Sequence, residues 1–127
     1  MPSDPIHVVV PEKNREQYEA MHFAPAVEQD GLVFVSGCVG HAEEAEEEFR
    51  DAWRQVGEVL AEAGCGYDDI VDSTLYVVDL QKHAGTMFKV KDEFVKAPYP
   101  ASTWIGITEL VVPGARAEVK VTARKPR

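Results

Sequence analysis

Residues 45–63 place an apolar side chain at every third or fourth position, with charged residues between them. This spacing follows the helical period and predicts an amphipathic helix with one buried and one solvated face. Gly64 follows where a left-handed residue commonly closes a helix, so we predict that the helix ends there. The acidic run at residues 43–48 belongs to the first turn, where carboxylates favour the helix dipole, and we interpret it as solvated.

Short apolar runs between turn residues predict strands on both sides of this helix. They cover residues 6–10, 26–28, 32–35, 70–80, 103–110 and 116–124. The run at 32–35 is continuously apolar, which is typical of a strand buried on both faces. The last run alternates apolar and polar residues, which indicates one buried and one exposed face. Residues 29–31 form a predicted hairpin turn, and we interpret the polar stretch up to Glu19 as a connection.

A second helix is predicted between the fourth and fifth strands. Asp79 is a suitable N-cap residue, and the apolar positions continue to about Lys96, after which Pro98 and Pro100 end the pattern. The order of the elements predicts an α+β fold in which both helices cover one face of a mixed sheet. The other face would leave apolar strand surface exposed, and oligomerisation would cover it.

Length and charge restrict the classes of partner. The chain has 127 residues, which fits a single domain over residues 1–127. Its formal net charge of −9 repels a phosphate backbone, so we expect no nucleic-acid partner. Because no long apolar stretch and no secretory signal are evident, we expect a cytoplasmic protein with no membrane partner. The two cysteines, Cys38 and Cys65, are expected to stay reduced.

Three segments, in this order, resemble those of a known protein family. The first is LVFVSG at residues 32–37, and the second is AEAGCGYDDIVDSTLYVVDL at residues 61–80. The third runs from PASTW at residues 100–104 to EVKVTA at residues 118–123. Each motif alone is common, but the order and spacing of all three are specific. In this way the chain is similar, from residue 24 to residue 123, to the RidA/YjgF family, also labelled the L-PSP endoribonuclease family.

The resemblance implies a chorismate-mutase-like (YjgF-type) α+β fold and a homotrimer whose three sheets form a central barrel. It also implies a cleft at each subunit interface, which would bind a small-molecule metabolite. Typical members hydrolyse reactive imines and enamines, such as 2-aminoacrylate, to 2-oxo acids and ammonia without a cofactor. The resemblance therefore predicts a cofactor-free hydrolase of the deaminase type.

Glu118 matches the family's water-activating glutamate. Imine hydrolysis needs a base to deprotonate water and an acid to protonate the leaving amine, and one carboxylate in a partly dry cleft can do both. The alternative is an ordinary glutamate on the polar face of a strand, beside Lys120 and Thr122. Ser36 and Gly37 would present a small side chain and backbone groups to the cleft, or would simply end a strand.

Two positions depart from the family's deaminases. Ser102 stands where their arginine forms a two-pronged salt bridge with the substrate carboxylate, and a serine can donate only one neutral hydrogen bond. Phe23 falls where many of them carry a tyrosine, so that hydroxyl is missing, although the ring can wall an apolar pocket. Arg116 could reach the site from a neighbouring loop, but we expect an arginine there to be solvent-exposed. The departures predict reduced or altered activity on 2-imino acids.

Thr103 and Trp104 follow the missing arginine. Trp104 can offer its backbone N–H to a ligand oxygen, while packing in the core or in an interface is the better interpretation of its ring. Cys38 replaces a common family glutamine, and His41 nearby raises the hypothesis of a Cys-His nucleophile. That hypothesis is disfavoured because the intervening residues fix no geometry. The histidines show no ligand spacing with either cysteine, so we expect no metal site.

The sequence leaves three functional hypotheses open. The first is an enzyme of the RidA superfamily that hydrolyses an imine, an enamine or a related labile C–N compound, with Glu118 orienting water. The second is a non-catalytic ligand-binding or regulatory trimer, which the changes at Ser102 and Phe23 would explain. The third and weakest is an endoribonuclease, which the acidic net charge does not support.

Overall fold

A computed structural model describes residues 5–126. Within that range the strands are β1 (His7–Val9), β2 (Ala26–Gln29), β3 (Leu32–Cys38), β4 (Ile70–Val78), β5 (Ala101–Ile107) and β6 (Ala117–Arg124). The α-helices of the same range are α1 (Arg15–Met21), α2 (Ala45–Glu62) and α3 (Leu80–Phe94). None of these helices is both long enough and apolar enough to cross a membrane.

The strands form one mixed sheet in the order β1-β2-β3-β6-β4-β5. β4 and β5 run parallel, with α3 as the crossover between them, while the other neighbouring pairs are antiparallel. β6 therefore lies inside the sheet between β3 and β4, although it follows the edge strand β5 in the chain. The predicted α+β fold with a mixed sheet is confirmed, and α2 and α3 pack together on one face.

The core lies between the sheet and the two long helices. On β6 the apolar members of the alternating pattern, such as Val119 and Val121, are buried, and their polar neighbours point to the other face. α2 packs its apolar stripe on this surface, and Phe49 and Trp53 are fully excluded from solvent. The Trp53 ring stacks on Phe94 of α3 with 6.2 Å between the ring centroids. The predicted amphipathic helix is thereby confirmed.

The face of the sheet away from the helices is open in the single chain. Its side chains are a mixture of apolar and polar types, among them Val27, Phe34, Thr74, Tyr76, Ile105, Lys120 and Thr122. Phe34 is 41% exposed, whereas its neighbours Val33 and Val35 are fully buried. The expectation that residues 32–35 are buried on both faces is therefore wrong for the single chain. Exposed apolar surface on this face was predicted and is present, but polar side chains interrupt it.

Some local details agree with the sequence prediction and others differ from it. Gly64 agrees, because it has a φ of +79° just after α2. Asp79 precedes α3, but it adopts a φ of +51° and makes no side-chain capping hydrogen bond. α3 ends at Phe94, earlier than predicted, because the backbone of Val95 is already extended. α1 was not predicted, since it buries no residue and its sequence carries no apolar stripe.

Candidate functional site

The candidate site is built where β3 leaves the regular ladder. β3 and β6 pair regularly up to Val35, and the register then shifts before Cys38 is reached. This bulge takes Ser36 and Gly37 out of the regular alternation. The Ser36 hydroxyl donates a hydrogen bond to the carbonyl oxygen of Ala24 at 2.6 Å, which fixes the bulge to the segment before β2.

Phe23 directly precedes that carbonyl group and is 40% exposed. The Ser36 hydrogen bond to the neighbouring residue, Ala24, therefore brings the Phe23 backbone close to the bulge. Phe23, Ser36, Gly37 and Cys38, which the sequence nominated separately, thus lie in one region of the molecule.

Glu118 of β6 lies directly against Gly37. A Cβ atom added at Gly37 would lie 2.7 Å from Cγ of Glu118 and would overlap the carboxylate, so the glycine leaves room for this side chain in its present position. Glu118 is partly buried. It forms no ion pair with any residue in the described range. A carboxylate held in this way keeps lone pairs available to orient a water molecule.

Tyr76 of β4 is the cross-strand neighbour of Glu118. On its other side, Tyr76 pairs with Ile105 of β5. Opposite residues of an antiparallel pair share a face, with Cβ atoms about 5 Å apart, so the phenol flanks the carboxylate on the open face. Sequence reasoning did not identify Tyr76. The available signal was its place in the alternation of a strand, which a great many structural tyrosines share.

Cys38 is buried near Glu118, with its Sγ atom 3.6 Å from the carbonyl oxygen of Ser36. Burial in the first place, and the negative charge of Glu118 in the second, raise the pKa of the Cys38 thiol to about 12. The thiol therefore stays protonated at neutral pH, and a protonated thiol is a poor nucleophile. This environment agrees with the interpretation that disfavoured a Cys-His nucleophile.

The remaining predicted site residues lie on the edge strand. Ser102, Thr103 and Trp104 of β5 are in register with Ser73, Thr74 and Leu75 of β4. Trp104 packs against the core on the helix side of the sheet. Ser102 points to that side too, is exposed, and has its hydroxyl 3.5 Å from the Lys91 ammonium of α3. Thr103 lies between them in the alternation and points to the open face.

Within one chain the edge-strand group lies apart from Glu118. β4 separates β5 from β6, and Ser102 also lies three residues along β5 from Ile105, which shares a row with Glu118. With strands about 4.8 Å apart and a rise of about 3.3 Å per residue, the two Cα atoms are roughly 14 Å apart. Ser102 and Glu118 also point to opposite faces. A small ligand therefore cannot contact both side chains of the same chain.

Arg116 does not reach the candidate site. Its guanidinium donates a hydrogen bond to Oε1 of Glu48 at 2.8 Å, and its backbone N–H donates to Oε2 at 2.7 Å. Glu48 is only 4% exposed. The expectations of a solvent-exposed Arg116 and of a wholly solvated acidic run at residues 43–48 are therefore wrong, because this buried carboxylate is held by a charged partner.

Two surface grooves lie elsewhere on the molecule. One of about 440 Å³ is lined in part by Arg15 and Lys125, and one of about 300 Å³ in part by Asp79 and His83. Neither groove includes Glu118. No group of three or more potential metal ligands is found in residues 5–126. The candidate site around Glu118 is therefore separate from both of these grooves.

The fold is a mixed sheet with two helices on one face. On the other face a carboxylate with no ion-pair partner in residues 5–126 lies against a glycine bulge, and together these features define a class of small α+β proteins with an open-faced site. Residues 14–125 match the family described as Endoribonuclease L-PSP. The chain belongs to this family, which is also known as the RidA/YjgF family. It is 34% identical over 125 residues to the RutC family protein YjgH of Escherichia coli, covering 93% of this chain and 94% of that protein.

Two further relatives extend the comparison. A mouse protein named 2-iminobutanoate/2-iminopropanoate deaminase is 26% identical over 109 residues, which cover 80% of this chain and 79% of that protein. A crystal structure of a YjgF-family member from Mycobacterium tuberculosis superposes with a TM-score of 0.84 at 25% identity, covering 94% of this chain and 99% of that chain. The predicted family and the predicted YjgF-type fold are confirmed.

Proposed function

We propose that this protein is a cofactor-free hydrolase of the RidA superfamily that acts on a reactive imine, an enamine or a related labile C–N metabolite. The observation that supports the proposal is the Glu118 carboxylate, which lies over Gly37 on the open face and has no ion-pair partner in the described range. Family membership and the name of the mouse relative support the reaction class.

Glu118 acts first as a base and then as an acid. It takes a proton from water as the water oxygen bonds to the carbon of a protonated imine, which gives a neutral carbinolamine. The protonated Glu118 returns this proton to the amino nitrogen. The C–N bond then breaks and ammonia leaves, while the carbonyl product gives its hydroxyl proton to solvent.

Ser102 limits the range of substrates. The resemblance places a carboxylate-binding arginine at this position in the family's deaminases, and a hydroxyl offers one neutral hydrogen bond where a guanidinium offers two charge-assisted ones. Phe23, beside the Gly37 bulge, offers a ring without a hydroxyl. We therefore propose that activity on 2-imino acids is reduced or altered.

A homotrimer is the proposed form of the working protein. Ser102 and Glu118 of one chain point to opposite faces of the sheet, and the open face leaves Phe34 and Ile105 41% and 39% exposed. A second copy of the chain would cover this surface and supply the missing wall of the site.

Replacing Glu118 tests the proposal. Glu118→Gln keeps the size and the hydrogen-bonding capacity of the side chain but removes the base. We expect the rate of ammonia release from freshly generated imines to fall by at least about 100-fold, with an unchanged circular dichroism spectrum. Glu47→Gln, on the exposed side of α2, is the matched control and should keep the wild-type rate.

Wild-type turnover by Glu118→Gln would contradict the mechanism. If the wild-type protein releases ammonia from no imine faster than the spontaneous reaction does, but binds the products of imine hydrolysis, the protein is the non-catalytic ligand-binding trimer instead. An endoribonuclease would have to bind RNA with a net charge of −9, and a lack of RNA binding at low salt would close that alternative.

A further inference from the structure

Lys91 lies near the end of α3 and reaches towards the edge strand β5. Its ammonium is 3.5 Å from the Ser102 hydroxyl. Among the lysines of residues 5–126, only Lys91 and Lys125 are partly buried. Lys125 is bound to the Glu28 carboxylate and the Ala63 carbonyl oxygen. Lys91, in contrast, has no carboxylate partner in that range.

The lack of a carboxylate partner for Lys91 among the described residues does not come from a shortage of acids, since the chain has 22 acidic and 13 basic residues. Glu93, two positions further along α3, is bound to Arg50 of α2 instead. A cation in the last turn of a helix is favoured by the helix dipole, but the dipole does not direct the ammonium to a particular hydroxyl. The approach of Lys91 to Ser102 therefore needs a separate explanation.

The backbone of β5 adds a second kind of donor. β5 is an edge strand, so one side of its ladder has no partner strand within residues 5–126. An edge strand presents unpaired N–H groups on that side. An ammonium, a hydroxyl and open backbone N–H groups thus occur together, and this set of donors suits an anion such as a carboxylate.

We infer that Lys91 and Ser102 form an anion subsite that binds the carboxylate of the substrate. The inference rests on the proposed function and assigns the positive charge to α3 rather than to β5. Ser102 contributes a neutral hydrogen bond and Lys91 contributes the charge. An ammonium is a point charge that imposes no two-pronged geometry, so the subsite selects for negative charge more than for carboxylate orientation. In the proposed trimer it would serve the Glu118 of a neighbouring copy.

Binding of 2-oxobutanoate and of its neutral amide, followed by NMR titration at low ionic strength, tests the subsite. We expect Lys91→Met to raise the Kd for 2-oxobutanoate about fivefold to tenfold, because the lost contact is charge-assisted but partly exposed to solvent. The Kd for the amide should stay the same. Lys91→Arg should retain binding of the acid. Lys89→Met is the matched control, since Lys89 on the same helix pairs with Glu46 and should leave both values unchanged.

An equal Kd for 2-oxobutanoate in wild type and Lys91→Met would overturn the inference. So would a Lys91→Met protein whose only change is a lower oligomer mass in light scattering, because the ammonium would then belong to a subunit contact. The readout is binding rather than turnover. A failure of Glu118 as the base therefore leaves the Lys91 comparison intact.

Discussion

Gly37 illustrates how one missing side chain shapes the site at the scale of single residues. The volume that a Cβ atom would occupy is filled by the carboxylate of Glu118. Gly40 plays a similar part a little further along, since a Cβ atom there would lie 2.8 Å from the backbone nitrogen of Ala52 in α2. Two glycines within four positions thus allow β6 and α2 to approach the end of β3.

Cys38 should resist alkylation. With a pKa raised to about 12, very little of its thiol is ionised at pH 8. Burial also raises the pKa of the Cys65 thiol, but Cys65 is only partly buried. We expect iodoacetamide at pH 8 to label Cys65 at least about tenfold faster than Cys38, as measured by peptide mass spectrometry.

The same pKa shift sets the direction of a pH effect on stability. An unfolded cysteine has a pKa of about 8.5, so the unfolded chain loses this proton before the folded chain does. The contribution of the neutral Cys38 thiol to the free energy of unfolding is therefore complete below that pH and decreases above it. Cys38→Ala should lose less stability than wild type between pH 8 and pH 10 in urea titrations. In the labelling experiment, equal rates of iodoacetamide labelling at Cys38 and Cys65 would contradict the buried environment of Cys38.

The sequence nominated the members of the site but not their contacts. The motifs place Gly37 at a strand end and Glu118 on an alternating strand, yet their contact depends on the pairing of β3 with β6, which joins distant parts of the chain. Lys91 gave no signal, because a lysine near a helix end is ordinary. Only the packing of α3 beside β5 brings it to Ser102.

At the scale of elements, predictability followed the strength of local signals. α2 carries a long apolar stripe and a closing glycine, and both were predicted. α1 has no such stripe and was missed. Asp79 was assigned a capping role from its residue type, but its left-handed backbone directs the side chain away from that role. The residue type of Asp79 therefore indicated where α3 begins, but it did not predict the left-handed backbone and the missing capping hydrogen bond.

Two helix glycines should respond in opposite directions to alanine. Alanine is a better helix former than glycine by about 1 kcal/mol. An added Cβ at Gly85 of α3 meets no atom within 4 Å, so Gly85→Ala should raise the free energy of unfolding by about 0.5–1 kcal/mol. At Gly57 of α2 the Cβ would overlap the Tyr67 hydroxyl, which donates a hydrogen bond to the Trp53 carbonyl oxygen at 2.7 Å. Gly57→Ala should lower the free energy of unfolding by about 1–2 kcal/mol.

Urea denaturation followed by circular dichroism measures both values, and each variant serves as the control for the other. A gain in stability from both substitutions would show that the Tyr67 ring moves aside at no cost. That result would remove Tyr67 as a fixed contact between α2 and the turn that precedes β4.

At the scale of the whole molecule, the order of strands and helices was enough to predict an α+β fold with both long helices on one face. The alternation in β6 was enough to predict which side chains face away from them. The number of copies needed to cover the open face has no such signal. Patterns of burial report that a surface needs a partner, but the geometry of the partner depends on the shape of the folded sheet.

The proposed trimer can be tested through the open face. Phe34 is 41% exposed there, and a charge placed at a buried subunit contact is costly to desolvate. We expect wild type at micromolar concentration to have three times the 14.1 kDa chain mass in light scattering, and Phe34→Glu to be monomeric with an unchanged circular dichroism spectrum. Phe88→Glu is the matched control, because Phe88 is 61% exposed on α3, away from this face. A monomeric wild type would refute the trimer, and a trimeric Phe34→Glu would place the subunit contact elsewhere.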